Sequence, residues 1–258
     1  EEQASIRSAV VEAVRSWRPQ ASEDDVLDAI DACNHDGSAD GFWALDPVDG
    51  TKGFLRGQHY AIALGRVEHG HVVAGVMGCP NLSADQGHPL NINDPEGVVY
   101  AASEGAGAWE FAACNPDASP MRILASSYIE DKHLRFCESA EKGHSNRGDS
   151  GRIIDSIGEE GEPARLDSQC KYALVARGQA DGYLRLPTSK TYVEKIWDHA
   201  AGMCIAIEAG AVVSDVHGTP LDFSHGKRLE ANRGVICAID GLQQRIIQSI
   251  TELGIGQD

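Results

Sequence analysis

The chain has 258 residues, 42% of them hydrophobic and 24% charged, which is the balance of an ordinary soluble globular protein with a core for one large or two small domains. Its 22 basic and 39 acidic residues give a net charge of −17, which disfavours nonspecific binding to nucleic acid or to an anionic membrane. No apolar run reaches the ~20 residues of a membrane span. A phosphorylated substrate would need a local concentration of positive charge in so acidic a protein.

The cysteines and the start of the sequence bear on the compartment. Seven cysteines are scattered along the chain and never form a C-x-x-C pair, so we expect buried, reduced thiols and neither a disulfide framework nor a zinc site. This pattern favours a cytoplasmic protein. No basic-then-apolar leader is visible, but the sequence begins at Glu1 without a methionine, so organellar targeting by an upstream segment stays open.

Two helices are predicted at the start of the chain. Apolar residues recur at helical spacing between Ile6 and Trp17. Farther on, Ser22 and Asp25 have the spacing of a capping box, which predicts a second helix that carries Val26.

Residues 43 to about 125 predict a mainly antiparallel sheet. The runs "YAIALGRV" and "HVVAGVMGCP" are separated by Glu68-His69-Gly70, which indicates a hairpin. The runs "GVVYAAS" and "MRILAS" are further strand candidates. Residues 81 to 97 are polar and rich in Pro, Gly and Asn, a composition that predicts a surface loop.

After about residue 130, short strands alternate with helices, which is the pattern of an α/β fold. The strand candidates are "LRFCES", "ARLD", "GYLRLP" and "GAVVSD", and the helical stretches are "CKYALVARG" and "WDHAAGMCIAIEAG". We therefore predict two domains, an α+β domain over residues 1–128 and an α/β domain over residues 129–258.

The turn Asp46–Thr51, "DPVDGT", places two aspartates three residues apart. Pro47 fixes its own φ and biases the residue before it toward an extended conformation, and Gly50 permits a tight turn. Both carboxylates and the Val48 carbonyl can then point at one place, a donor set that suits a hard cation such as Mg²⁺. The alternative is a polar Asx-type turn that caps a helix beginning at Thr51.

A second acidic position lies in the other half of the chain. Asp198 is at or beside the start of an apolar helix that is predicted to end at Gly210, before a strand. An acid there can simply complement the helix dipole. Because helix N-termini also offer amide donors to phosphate, a metal bound by Asp198 would create a phosphate site.

These residues carry a family resemblance. The stretches "WALDPVDGTKGF" and "WDHAAGMCIAIEAGAVVSD" resemble, in order and about 150 residues apart, the two signatures of the inositol monophosphatase superfamily of Mg²⁺-dependent, lithium-sensitive phosphatases. More narrowly, "GCPNL", "EKGHS", "LDSQCKYALVARGQADGYLRLP" and "EKIWDHAAG" resemble the 3′(2′),5′-bisphosphate nucleotidase branch. The resemblance covers residue 1 to about 240. It implies a layered αβαβα sandwich that combines α+β and α/β parts, with a mainly antiparallel first sheet and a mixed α/β second half.

The resemblance also implies the site residues. The metal ligands of the family match Glu1, Asp46, the Val48 carbonyl, Asp49 and Asp198. Two or three Mg²⁺ ions are expected there, with inhibition by Li⁺. Thr51, which helps to activate the attacking water, and Asp49 are the expected catalytic residues. The expected substrate-binding residues are Thr51, His144, Ser168, Lys171, Arg185 and Asp198. The first domain would then bind metal, and the second would complete the metal site and bind the nucleotide.

One part of the family pattern lies outside the sequence. The family has, upstream of a glutamate pair, a helix whose aspartate works with the threonine on the attacking water. The sequence opens with the pair Glu1-Glu2, so we expect the first domain to be N-terminally incomplete.

Four of the substrate-binding residues have simpler interpretations. Lys171 and Arg185 can be solvated surface charges, Ser168 can be a helix N-cap, and His144 can be a loop histidine. These alternatives stay open at the level of the sequence.

The resemblance implies an enzyme of sulfur assimilation that hydrolyses adenosine 3′,5′-bisphosphate to AMP and phosphate, with 3′-phosphoadenylyl sulfate as a second substrate. An enzyme similar to inositol polyphosphate 1-phosphatase and a catalytically dead nucleotide-binding sensor are the alternatives. We expect a monomer whose partner is a small nucleotide, with no nucleic acid and no membrane.

Overall fold

The computed structural model forms two compact units, Glu1–Ser38 and Ala39–Asp258. The residues that it describes are 2–115, 117–130, 132–140, 147–159, 163–189 and 191–256. In this part of the chain, no helix combines the length and the apolar character that crossing a membrane requires.

The first unit contains helices α1 (Glu2–Trp17) and α2 (Glu23–Asp31), followed by one 3₁₀ turn. The capping box forms, because Ser22 Oγ accepts from the Asp25 N–H at 3.0 Å and the Asp25 carboxylate accepts from the Ser22 N–H at 2.9 Å. A small apolar cluster joins the helices through Val11, Val14, Ala21 and Val26. Both predicted helices are confirmed.

The second unit begins with a six-stranded antiparallel meander in chain order. Its strands are β1 (Gly41–Asp49), β2 (Ala61–Glu68), β3 (His71–Cys79), β4 (Val98–Ser103), β5 (Gly107–Ala112) and β6 (Met121–Ile123). The predicted hairpin joins β2 to β3, and His69 and Gly70 both have positive φ, as a two-residue type I′ turn requires. Residues 81–97 contain no helix or strand, as predicted. Strand β5 is absent from the sequence-based prediction.

The second sheet is mixed, with strand order β10-β11-β9-β7-β8. Its strands are β7 (Phe136–Ser139), β8 (Ala164–Leu166), β9 (Gly182–Arg185), β10 (Ala211–Ser214) and β11 (Val235–Ile239). Strand β7 pairs in parallel with β8 and β9, and the other pairings are antiparallel. Four of these strands are predicted by the sequence, and β11 is the addition.

Helices α5 (Cys170–Ala176) and α6 (Ala200–Glu208) pack on each other between the sheets. Helix α7 (Leu242–Glu252) packs on β11 and on α4 (Arg147–Ser156). Since every residue of β11 is buried, helices cover both faces of the second sheet. The second unit is thus a stack of sheet, helices, sheet and helices, in agreement with the predicted layered α+β fold. The predicted domain boundary at 128/129 falls between the two sheets and stays a prediction.

Two glycines bring α6 against the first sheet. A Cβ at Gly65 of β2 would lie 2.6 Å from the Ala200 Cβ, and a Cβ at Gly75 of β3 would lie 2.6 Å from the Ala201 carbonyl oxygen. Both distances are shorter than any real side chain tolerates, so only glycine permits this approach. The close packing places the start of α6 beside β2, near the end of β1.

Candidate metal and phosphate site

A β-bulge at the end of β1 brings Asp46 and Asp49 to the same side of the sheet. In a regular strand, residues three apart point to opposite faces. Here Asp46 pairs with Ala63 and Asp49 pairs with Ala61, so three steps along β1 oppose two steps along β2. The extra residue reverses the alternation, and both carboxylates therefore face one place.

The residues after the bulge turn tightly into α3 (Thr51–Leu55), with Gly50 in the left-handed region at φ +81°. The Asp46 carboxylate accepts from the Val48 N–H at 3.0 Å, and Thr51 Oγ1 donates to the Val48 carbonyl at 3.0 Å. The Asx-type turn that the sequence leaves open is therefore present. It occurs together with the convergence of the two aspartates and does not replace it.

Asp198 joins these aspartates from the other half of the chain. It ends a single 3₁₀ turn (Ile196–Asp198) directly before α6. One carboxylate oxygen from each of Asp46, Asp49 and Asp198 lies within 4.8 Å of the other two. The structure thus brings together three of the predicted metal ligands.

The electrostatics of this cluster favour a cation. Burial, followed by the charges of Asp49 and Asp198, raises the pKa of Asp46 to about 6. The pKa of Asp49 is also raised, chiefly by burial and then by Asp198, although Lys171 and Arg185 oppose the shift. Carboxylates this close repel one another, and oxygen donors of this kind are the ligands that Mg²⁺ prefers. The residues present therefore fit the metal that the family implies.

A cavity of about 290 Å³ opens over the carboxylates. The aspartates and Thr51 line one part of it, and residues of the β8–α5 loop, α5 and β9 line the rest. Among the latter are three of the predicted substrate-binding residues, Ser168, Lys171 and Arg185.

The β8–α5 loop is pressed against the metal turn. Ser168 has φ +70°, which is rare for a residue other than glycine, and its Oγ accepts from the Cys170 N–H at 3.2 Å. The next residue, Gln169, donates its N–H to Asp49 Oδ2 at 2.5 Å. A Cβ at Gly50 would lie 2.9 Å from the Ser168 Cβ. The Ser168 hydroxyl therefore does bond to the first turn of α5, but its loop also fixes the position of Asp49.

Lys171 is buried at the base of the cavity and is not a solvated surface charge. Its Nζ donates to the Leu166 carbonyl at 3.1 Å and to the Ser168 carbonyl at 2.5 Å, and lies 5.3 Å from the centre of the Tyr183 ring. Burial lowers the pKa of Lys171, and the nearby Asp49 carboxylate opposes the shift. Lys171 thus shapes the loop and places positive charge beside the carboxylates.

Arg185, on β9, is also buried rather than solvated. Its Nη2 lies 2.6 Å from Glu194 Oε2 and 3.4 Å from Asp198 Oδ2. Against the opposing effect of burial, Arg185 and His199 lower the pKa of Glu194 to about 2. Among the described residues, the buried Arg185 Nε has no hydrogen-bond partner. A buried donor left unpaired is costly, so this guanidinium has capacity for an anionic ligand.

Two functional residues are missed at the sequence level. The Gln169 side chain donates to the Trp197 carbonyl at 2.8 Å and accepts from the Gly202 N–H at 2.9 Å, which joins the β8–α5 loop to both sides of Asp198. Glu194 pairs with Arg185. Both lie inside the quoted motifs "DSQCK" and "EKIWD", but no spacing rule singles them out. The predicted ligand Glu1 and the predicted contact His144 lie outside the described residues.

A profile of the inositol monophosphatase family matches residues 5–254. The chain belongs to this family. Similar curated proteins are named 3′(2′),5′-bisphosphate nucleotidase. The one from Schizosaccharomyces pombe is 42% identical over 88% of this chain and 64% of its own length. The one from Emericella nidulans is 42% identical over 90% of this chain and 69% of its own length. The chain thus spans about two thirds of the length of these relatives.

Solved structures of the family share the fold. The inositol monophosphatase from Anabaena matches with a TM-score of 0.62 at 20% identity, over 96% of this chain and 91% of its own. The one from Zymomonas mobilis matches with a TM-score of 0.61 at 19% identity, over 89% of this chain and 81% of its own. At this identity, the likeness identifies the family fold and not the substrate.

Proposed function

We propose that this inositol monophosphatase family member is a Mg²⁺-dependent 3′(2′),5′-bisphosphate nucleotidase. It hydrolyses adenosine 3′,5′-bisphosphate to AMP and phosphate and also accepts 3′-phosphoadenylyl sulfate. The observation that carries the proposal is one cavity lined both by three clustered carboxylates and by the buried cations Lys171 and Arg185. The names of relatives at 42% identity support the same substrate class.

The three aspartates would hold the metal, together with the Val48 carbonyl and, by resemblance, Glu1. Magnesium, when bound there, supplies Lewis-acid chemistry, because it polarises the phosphate and makes water more acidic. The carboxylates would otherwise repel the substrate, since unit charges ~4 Å apart interact by about 4 kcal/mol at an effective dielectric near 20.

Thr51 orients the attacking water. Its hydroxyl proton is committed to the Val48 carbonyl, which leaves the oxygen lone pairs free to accept a hydrogen bond from water. Water adds to phosphorus and gives up one proton to solvent, the bond from phosphorus to the 3′ oxygen breaks, and the leaving oxygen takes up one proton from solvent. No covalent phosphoenzyme is needed.

The second phosphate of the substrate binds at the buried cations of the cavity. Lys171 contributes its charge and the one N–H that is not used by the Leu166 and Ser168 carbonyls. Arg185 contributes a guanidinium whose Nε lacks an acceptor among the described residues. A substrate with only one phosphate forgoes these charge-assisted contacts with Lys171 and Arg185, which gives a bisphosphate the advantage.

We further propose a cytoplasmic monomer that Li⁺ inhibits. Five of the seven cysteines are buried and all are free, which supports a reducing compartment. Li⁺ is close to Mg²⁺ in size but has half its charge, so it can occupy a weaker site without the same catalytic effect. Indifference of the activity to Li⁺ at limiting Mg²⁺ would count against the assignment, and size-exclusion chromatography tests the monomer.

Phosphate release tests the proposed function. We expect Mg²⁺-dependent release from adenosine 3′,5′-bisphosphate at a much higher kcat/KM than from an inositol bisphosphate. Preference for the inositol substrate would favour the inositol polyphosphate 1-phosphatase-like alternative. Nucleotide binding without any phosphate release would favour the sensor.

A further inference from the structure

We propose that Glu194 is a positioning residue that keeps the Arg185 guanidinium off the metal ligand Asp198 and available to the second phosphate of the substrate. The expected effect on substrate selectivity rests on the proposed function. The expected effect on the metal site depends only on the presence of a cation at the three aspartates.

Arg185 stands between two carboxylates at unequal distances. Its Nη2 lies 2.6 Å from Glu194 Oε2 and 3.4 Å from Asp198 Oδ2. The shorter contact has ion-pair hydrogen-bond geometry, and the longer one is outside the usual range. Glu194 is therefore the main ion-pair partner of Arg185, and Asp198 keeps its carboxylate for the metal.

A buried chain of side chains holds Glu194 in place. His199 Nε2 lies 3.2 Å from the same Glu194 oxygen that contacts Arg185, and His199 Nδ1 lies 2.8 Å from the Tyr172 hydroxyl. Tyr172 in turn packs edge-on against Tyr183, with ring centres 5.1 Å apart. His199 and Tyr172 are fully buried, so solvent does not replace these partners.

The arrangement determines what happens when the Glu194 charge is lost. A buried guanidinium needs a counter-ion, and the nearest one left to Arg185 is Asp198. Movement toward Asp198 would occupy an oxygen of the metal site and draw the guanidinium away from the phosphate pocket. Loss of Glu194 should therefore weaken Mg²⁺ binding and bisphosphate selectivity together, although Glu194 contacts neither ligand in this account.

The test is Glu194→Gln, which keeps the shape of the side chain and removes its charge. Partners of metal-site residues commonly affect metal affinity by ~10- to 100-fold. We expect the Mg²⁺ dissociation constant, measured by calorimetry without substrate, to rise about tenfold, at the low end of that range. We also expect the ratio of kcat/KM for adenosine 3′,5′-bisphosphate to that for adenosine 3′-monophosphate to fall.

The matched control is Glu208→Gln. The Glu208 carboxylate accepts from the Gly105 and Gly107 N–H groups far from the cavity.

A double mutant separates positioning from a general structural effect. When Arg185→Met is added to Glu194→Gln, no guanidinium remains to compete for Asp198, so Mg²⁺ affinity should return toward that of the unsubstituted protein. If Glu194 had a merely structural role, the double mutant would bind Mg²⁺ as weakly as the single mutant, and that result would overturn the proposal. If Glu194→Gln does not fold by circular dichroism, Glu194→Asp, which withdraws the carboxylate by one methylene, should show the same two effects more weakly.

The outcomes separate this inference from the proposed function. If the unsubstituted protein releases no phosphate from the bisphosphate, the proposed function is wrong, and the Mg²⁺ titrations still decide the position of Arg185. If the unsubstituted protein is active and Glu194→Gln changes neither Mg²⁺ affinity nor the substrate ratio, only the role of Glu194 is wrong.

Discussion

The charges of individual residues around the cavity matter more to the site than the exposure of their side chains. Asp49 accepts the Gln169 N–H, lies beside Asp198 and is near Lys171. The Gln169 contact holds the Asp49 carboxylate in one orientation, and the charge of Lys171 opposes the rise in the Asp49 pKa. The site is therefore arranged to bind ions. Substitutions that change the charge of a side chain without changing its shape should test this.

Asp49→Asn should leave the fold nearly intact and remove the charge of one proposed metal ligand. Because metal ligands and their partners commonly matter by ~10- to 100-fold or more, we expect phosphate release to collapse and the Mg²⁺ requirement to rise. The exposed Asp40 provides a control, since Asp40→Asn makes the same chemical change away from the cluster. Near-normal turnover of Asp49→Asn at modest Mg²⁺ would remove Asp49 from the metal site.

Lys171→Met removes the buried cation and keeps most of the side-chain volume. Hydrogen bonds to charged groups contribute roughly 1.5–3 kcal/mol, or about 10- to 150-fold in affinity. We therefore expect kcat/KM for adenosine 3′,5′-bisphosphate to fall much more than kcat/KM for adenosine 3′-monophosphate. An equal fall for both substrates would mean that Lys171 acts only through the loop that positions Asp49 and not on the second phosphate.

The helices, strands and loops around the site are held in place where their backbones pack closely against one another. The bulge in β1 and the glycines under α6 place the three aspartates together. At Gly50, the left-handed turn of the metal loop touches the Ser168 loop. The approaches at Gly50, Gly65 and Gly75 leave no room for a side chain, so the geometry of the site depends on these glycines.

Gly50→Ala should cost stability and Mg²⁺ affinity together. The left-handed conformation costs a residue with a Cβ about 1–2 kcal/mol, and the new Cβ would lie 2.9 Å from the Ser168 Cβ. Gly57→Ala is the matched control, because Gly57 has φ +67° but nothing within 4 Å of an added Cβ. Urea unfolding should show a loss of about 1–2 kcal/mol for Gly57→Ala and a larger one for Gly50→Ala. Unchanged Mg²⁺ affinity in Gly50→Ala would show that the contact with Ser168 does not position the ligands.

The local pattern of the sequence predicts some elements and misses others for identifiable reasons. The hairpin and the capping box are short-range features with their own turn and cap residues. The apolar run of β11 could be buried strand or helix, because both faces are covered and periodicity is lost. Helix α4 contains Gly148 and Gly151, which weaken a helical pattern. Helix α7 did carry a readable signal in Leu242, Ile246 and Ile250, all buried at four-residue spacing.

The contacts that complete the site join distant parts of the chain. The hydrogen bond from Gln169 to Asp49 spans 120 residues, and a single sequence contains no local pattern for it. Local spacing singled out Asp46, Asp49 and Asp198 as candidates, and the family resemblance joined them into one metal site. The bulge, the Gln169 bridge and the pairing of Glu194 with Arg185 depend on tertiary packing, and only the structure displays them.

At the scale of the whole molecule, the site links the two sheets of an acidic protein. Its candidate metal ligands come from the end of β1 and from the turn before α6, and its cations come from α5 and β9. The unfolded chain has no such cluster, so a metal that binds it stabilises the folded state. The net charge of −17 adds to the repulsion that the metal relieves.

Metal binding should therefore stabilise the protein in a pH-dependent way. The folded state raises the pKa of Asp46 from 3.8 to about 6, first through burial and then through Asp49 and Asp198. Without metal, a carboxyl whose pKa is raised on folding retains its proton better in the folded state, so its contribution is most favourable below pH ~4 and is lost as pH rises through ~6. The raised pKa of Asp49 acts in the same direction.

Since Mg²⁺ competes with these protons, the increase in Tm on adding Mg²⁺ should be larger at pH 7 than at pH 5. Asp46→Asn should reduce both the Mg²⁺ shift and its dependence on pH, and Asp40→Asn should change neither. Thermal unfolding with and without Mg²⁺ at the two pH values measures this directly. Each Mg²⁺ shift is the difference between two melts at the same pH, so the titration of carboxylates elsewhere in the protein cancels. Equal Mg²⁺ shifts at pH 5 and pH 7 would mean that the aspartate cluster is already fully ionised at pH 5, against the electrostatics of the folded state.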